Sequence, residues 1–161
     1  MLFGMVKHHM MWVFSAAGPF QNHERDLMRE RLKHMHVPVD FGRRLEVTDQ
    51  FKGWIMEDFM HFIKYAWPYV FQGIMTEGNL HLRLWRLLVD STLHYLTPDN
   101  DPPLRFGMPA EERARNAAII AGNMEEAAKK LRKYAAMLHR IRYTHKVPDD
   151  MFSSNLHMVK C

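Results

Sequence analysis

The chain has 161 residues, 47% of them apolar, which is the length of one domain with enough apolar residues to bury a core. A charged fraction of 25% and the absence of low-complexity tracts argue against general disorder, and the net charge is +4. The single cysteine, Cys161, excludes an intrachain disulfide framework and a cysteine-based zinc cluster, and makes a reducing compartment the simpler expectation.

The first twenty residues, MLFGMVKHHMMWVFSAAGPF, are apolar, yet Lys7, His8 and His9 divide them into runs too short to cross a bilayer. A signal peptide carries its charge ahead of the apolar stretch, whereas here the charge falls inside it. The expectation is a buried helix over roughly the first fourteen residues, stopped by Gly18-Pro19. A charged helix then starts near Asn22, a good cap, and runs through HERDLMRERLKHM. Its apolar face is Leu27, Met28, Arg31, Leu32 and Met35, and His36-Val37-Pro38 ends it.

After the extended link VPVDFGRRLEV, Thr48 or Asp49 is placed to cap an aromatic helix, QFKGWIMEDFMHFIKYAW. Its inward positions are Phe51, Trp54, Ile55, Phe59, Phe62, Ile63 and Ala66. Pro68 predicts a kink or restart, because the residue before a proline is pushed away from helical dihedrals; YVFQGIM then reads as a short separate turn ending near Gly73. The next helix starts close to Asn79. Its Leu80, Leu84, Leu87, Leu88, Ser91, Leu93 and Tyr95 form an arc wide enough for burial on much of the circumference, before TPDNDPP breaks it.

The longest predicted element runs from Pro109, as a first helical residue, to about Tyr143. Positions 110, 114, 117, 121, 124, 128, 131, 135 and 138 carry only Ala, Met and Leu and step by four and three, a heptad stripe. Ile120, Ala127, Tyr134 and Ile141 lie beside it at sevens and widen the face. Such a helix packs along an antiparallel neighbour or a partner helix. The fold class expected is therefore all-α: an irregular helical bundle with one long C-terminal heptad-patterned helix. Its single domain, 1–161, divides into a first helix (1–20), a helical core (22–108), the long helix (109–146) and a tail (147–161).

Charge is segregated along that last helix. Residues 111–126 hold four acids and two arginines, and residues 129–146 hold seven Lys or Arg and no acid. Acids at a helix start and bases at its end suit the macrodipole, so a solvated face is one reading. The other is nucleic-acid contact, with Lys129, Lys130, Arg132, Lys133, Arg140 and Arg142 meeting phosphates.

Other chemistry finds little support. Asp58 with His61 and Asp90 with His94 have helical spacing for a metal pair, but a di-iron bundle needs further inward carboxylates that the apolar faces do not supply. No Gly-x-Ser-x-Gly elbow, Gly-x-Gly-x-x-Gly loop or Walker-type run occurs. Adjacent acids such as Glu57-Asp58 point about a hundred degrees apart on a helix, which suits a cap or a solvated face better than an acid/base pair. No catalytic, cofactor-binding or metal-ligating residue is assigned, and no cofactor or small-molecule substrate is expected.

Four segments, in order, resemble the helical region downstream of the catalytic motif in transposase-like proteins of CACTA-type and Kyakuja-Dileera-Zisupton elements. LFGMVKHHMMW at 2–12 is similar to their Leu-Gly-x-x-Lys-His stretch, and PVDFGRR at 38–44 to their Pro-x-x-x-Gly-Arg. FKGWIMEDFMHFIKYAWPYVF at 51–71 resembles Lys-Gly-Trp-x-x-x-Glu-Trp-x-x-Phe-x-x-Tyr-x-x-Pro-x-x-Phe, with Phe59 where tryptophan is usual. SSNLHMVKC at 153–161 resembles Asn-x-His-x-x-x-His, with Cys161 at the second histidine. In the family the catalytic Asp of an Asp-x-x-His precedes the Leu-Gly segment, and DDE-type strand transfer needs such acids to hold two divalent ions. The resemblance therefore implies a fragment, inside the cell and in the nucleus, that is a non-catalytic scaffold or interaction region. Its partners would be DNA, a partner helix or the missing catalytic domain. Glu57, the acid within a matched motif, is expected to satisfy a neighbour such as Arg43 or Lys52. The alternative is a stand-alone nucleic-acid-binding helical domain using the basic half of the long helix.

Overall fold

A computed structural model of the chain describes residues 2–36, 45, 51–96 and 101–152, and among these every regular element is helical and none is a strand. The protein is all-α, as its apolar periodicity predicts.

Helix α1, Leu2–Phe14, buries Met5, Val6, His9, Met10, Trp12, Val13 and Phe14, residues spread around much of its circumference. A helix apolar on most sides belongs inside a domain. The Ser15 hydroxyl donates to the Trp12 carbonyl at 2.9 Å and ends it. Gly18 lies so close beneath that turn that a Cβ there would sit 2.1 Å from the Trp12 carbonyl oxygen, so only glycine fits.

Helix α2, Asn22–His34, starts one residue away from the expected cap. Gln21 is the N-cap, its backbone N–H donating to the Glu24 carboxylate at 2.8 Å. Asn22 is instead bonded by the Arg25 guanidinium, which also donates to the Phe20 carbonyl. Met28 and Leu32 are buried as expected, but Leu27 is 44% exposed and Arg25 takes the inward position. Arg25 fits there because both of its bonds are local and close the α1–α2 corner.

The aromatic stretch folds differently from a single long helix. Phe51 and Gly53 adopt positive φ, at 55° and 91°, in a turn that precedes α3, Met56–His61. The Asp58 carboxylate accepts the Ile55 N–H at 2.7 Å and caps α3, while the expected caps Thr48 and Asp49 lie outside the described residues. Ile55 is consequently exposed, whereas Phe51, Phe59, Phe62, Ile63 and Ala66 are buried. Phe62–Ala66 then form a π turn, with the Trp67 N–H donating to the Phe62 carbonyl five residues back. It leads into α4, Trp67–Val70, and Trp67 keeps helical dihedrals of −58° and −35°. The helix restarts here as expected, with Pro68 in the first turn of α4, but Trp67 is not pushed out of helical dihedrals. The wider turn absorbs the proline, whose missing N–H and ring would otherwise conflict with a carbonyl one turn earlier.

Helix α5, Leu80–Leu96, is capped by Asn79, whose side-chain oxygen accepts the His81 N–H at 2.7 Å. It buries His81, Leu82, Leu84, Trp85, Leu88, Val89, Ser91 and Thr92. Helix α6, Ala110–Ile141, has 32 residues and so extends about 48 Å. Pro109 is its N-cap, not its first helical residue. The Tyr95 hydroxyl meets the Met124 carbonyl, Asp90 meets Lys130, and the His81 and His145 rings stand 5.1 Å apart, so α5 and α6 run antiparallel. Aromatic rings from the middle of the chain fill the space between them and α1. Trp85 contacts Phe62 at 5.7 Å and Phe71 at 5.4 Å between ring centroids, both edge-to-face. A final 3-10 turn, Asp149–Phe152, buries Met151 against α1, where His8 and Asp150 approach to 3.2 Å.

Candidate nucleic-acid interface

The α6 stripe is used over only part of its length. Leu131, Ala135 and Leu138 are buried, Ala128 is half-buried, and Ala110, Ala114, Ala117, Ala121 and Met124 are exposed. The buried face is instead Ala127, Leu131, Tyr134, Ala135, Leu138 and Ile141, rotated toward the positions flanking the stripe. The reason is length. α5 has 17 residues and covers about half of α6, so the first half of α6 projects past its neighbour. There, among the described residues, Asn116 donates to the Pro103 carbonyl at 3.0 Å, Asn123 to the Asp101 carboxylate at 2.6 Å and Arg113 to the Met108 carbonyl at 3.2 Å.

The six cations singled out in the sequence fall into two groups. Lys130 is half-buried and its ammonium lies 3.6 Å from Asp90 on α5. Arg142 donates to Asp149 at 2.6 Å, a bond that holds its guanidinium above the usual arginine pKa, and it stacks over Phe152 at 4.9 Å. These two serve the fold. Lys129, Arg132, Lys133 and Arg140 are exposed at spacings of three, one and seven, which places them on the side of α6 away from the core. Lys129 has one weak contact, 3.7 Å from Glu126, and among the described residues no carboxylate pairs with the other three. From Lys129 to Arg140 is about 16 Å of helix, which spans about five nucleotide steps of one duplex strand. Ala136 leaves the middle of the face low, and Tyr143, 84% exposed, stands at its end. Chemically the face offers four exposed cations to a line of phosphates.

Other candidates resolve into structural parts. Asp58 is spent on its cap and Asp90 on Lys130, so the two acid–histidine pairs do not converge, and among the described residues no group of three or more His, Cys, Asp or Glu is placed to hold a metal ion. Glu57 is exposed, and the buried acid of that motif is its neighbour Asp58; Arg43 and the segments 38–44 and 153–161 lie outside the described residues. An open recess of about 270 Å³ at the start of α5 has charged walls, Glu77 and Arg86, that are bonded to each other at 2.5 and 2.9 Å.

The most unusual chemistry is one that the sequence did not signal. His9 Nδ1 lies 2.8 Å from the Tyr134 hydroxyl, and the His9 ring sits among Trp12, Trp85 and Tyr134. Burial, and then the nearby His81, lowers the His9 pKa to about 3; burial, and then His145, lowers that of His81 to about 4. Burial also raises the Tyr134 pKa. A histidine and tyrosine sealed from solvent meet no substrate, so the pair is a neutral strut joining α1 to α6.

Among the described residues no helix is long and apolar enough to cross a membrane. In comparisons with known proteins, no family model, curated protein or solved structure matches the chain.

Proposed function

We propose that the chain is a non-catalytic helical interaction region whose working element is α6. The observation that carries this reading is the mismatch between α5 and α6: a domain that needed α6 only as a core helix would have no use for an exposed half carrying Ala114, Ala117, Ala121 and Met124. Ancestry in a transposase-like protein is consistent with it, since the motif that resembles the family's Lys-Gly-Trp segment supplies packing aromatics and a helix cap. The reading is tested by assaying the purified chain for magnesium- or manganese-dependent DNA cleavage. No activity above a mock preparation is expected, and reproducible cleavage abolished by Glu57→Ala overturns the proposal.

A second reading, favoured by the exposed face of Lys129, Arg132, Lys133 and Arg140, of which only Lys129 meets a carboxylate among the described residues, is that α6 binds nucleic-acid backbone. Each phosphate neutralised on duplex DNA contributes about 0.9 to the slope of log affinity against log salt. Replacing the four cations with alanine is expected to flatten that slope by about 3–4, while Lys130→Ala and Arg142→Ala change it little. An unchanged slope in the fourfold variant removes this face from consideration.

A further inference from the structure

Opposite the buried side of α6 runs a second four–three series: Glu111, Arg115, Ala118, Gly122, Glu125, Lys129, Arg132, Ala136 and His139, every one exposed. This is the spacing of a helix-pairing seam, with small residues where two backbones would approach and charges between them. Beside it Ile119 is 46% exposed. The net charge changes sign between the halves. Glu111, Glu112, Glu125 and Glu126 outnumber Arg113 and Arg115 in the first, and Lys129, Arg132, Lys133 and Arg140 lie with no acid in the second. The macrodipole acts within a turn of each helix end and does not reach the change of sign between Glu126 and Lys129, about 24 Å from the first residue of α6.

We infer that two copies of the chain associate through this face, with their α6 helices antiparallel about a two-fold axis level with residue 127. That arrangement sets Glu125 against Lys129 of the partner subunit and Ala118 against Ala136 of the partner subunit, each twice. It also leaves Arg132 of the partner subunit over the gap at Gly122. A parallel pairing would bring Glu125 against Glu125 and Lys129 against Lys129 of the partner subunit, so the charge pattern selects the antiparallel one. It also selects a second copy over an unrelated helix, because a single face carries both complementary halves and is complete only when reversed upon itself. Such an interface is isologous and closes at two subunits. The inference is independent of nucleic-acid binding.

The test uses the full chain, free of nucleic acid, in sedimentation equilibrium at low salt and at about 1 M salt, where charges are screened beyond about 3 Å. Two variants are compared with the wild type: one with Glu111, Glu112, Glu125 and Glu126 all changed to Lys, the other with Lys129, Arg132, Lys133 and Arg140 all changed to Glu. All eight side chains are exposed, and unchanged helical circular dichroism checks that each variant folds. The wild type is expected to be dimeric at low salt and to dissociate at high salt. Each variant alone is expected to be monomeric, and an equimolar mixture dimeric, because the basic face of one meets the face of the other, which is acidic apart from Arg115. If either fourfold variant misfolds, Glu125→Lys and Lys129→Glu serve in its place, each weakening the dimer and their mixture restoring it. A wild type that stays monomeric at low salt, a dimer indifferent to the substitutions, a mixture that fails to pair, or growth beyond two subunits overturns the inference.

Discussion

The Tyr134 hydroxyl and His9 Nδ1, 2.8 Å apart and buried, join α1 to α6 across 125 residues of sequence. Removing the hydroxyl alone leaves a buried imidazole nitrogen without its partner, which costs about 1–3 kcal/mol because the desolvation of that nitrogen is no longer offset. Tyr134→Phe is therefore expected to lower unfolding stability by that amount in urea titration, with the helical signal of the folded state unchanged. A stability within about 0.3 kcal/mol of wild type would mean that the bond contributes nothing net.

His9 and His81 make stability depend on pH. Their folded pKa values, about 3 and about 4, lie below the ordinary value of 6.5, so the unfolded chain binds protons that the folded chain refuses. Their contribution is fully present above pH 6.5 and is lost as pH falls, through about 4 for His81 and about 3 for His9. While both groups act, the loss approaches about 1.4 kcal/mol per pH unit for each. Urea midpoints measured from pH 7 to pH 4.5 should fall steadily, and the fall should be smaller in His81→Phe. A midpoint independent of pH across that interval would contradict the burial of both rings.

The heptad stripe of α6 is buried at Leu131, Ala135 and Leu138, half-buried at Ala128 and exposed from Ala110 to Met124, and stability should divide the same way. Leu138→Ala removes a fully buried side chain from between α5 and α6 and is expected to cost about 2–5 kcal/mol. Ala117→Ser, on the projecting half, is expected to stay within about 0.5 kcal/mol. Equal losses from the two would mean that the projecting half is covered within a single chain.

These cases show which parts of the molecule the sequence makes legible. Helical periodicity is local, so α1, α2, α5 and α6 appear at nearly their observed bounds, and Ala127, Tyr134 and Ile141 are recognisable as a flank of the α6 face. What periodicity lacks is the partner. It gives the stripe a direction on α6 but no measure of how far α5 reaches along it, so that stripe positions 110, 114, 117, 121 and 124, expected to lie along an antiparallel neighbour or a partner helix, are exposed in the single chain. The bond from His9 to Tyr134 has no local signature, and the doublet His8-His9 reads as a break in an apolar run whose side chains diverge on a helix. Of the six cations, Lys130 and Arg142 drop out because Asp90 comes from another helix and Asp149 from the turn after α6. The proline is the opposite case, where a sound local rule yields to a π turn that accommodates the ring.

The two uses assigned to the basic half of α6 compete. Lys129 and Arg132 lie in the face offered to phosphates and also in the seam offered to a second copy, so one occupant excludes the other. By linkage, a ligand that binds only the monomer draws the dimer apart, and dimerisation weakens that ligand by the same factor. Adding a short DNA duplex to the dimer at low salt is therefore expected to yield complexes with one chain per duplex site. The apparent affinity for DNA should also fall as protein concentration rises through the dimer range. Duplex bound to an intact dimer, at an affinity independent of protein concentration, would separate the two surfaces and return the phosphate contacts to cations outside the seam, with Lys133 and Arg140 the first to substitute.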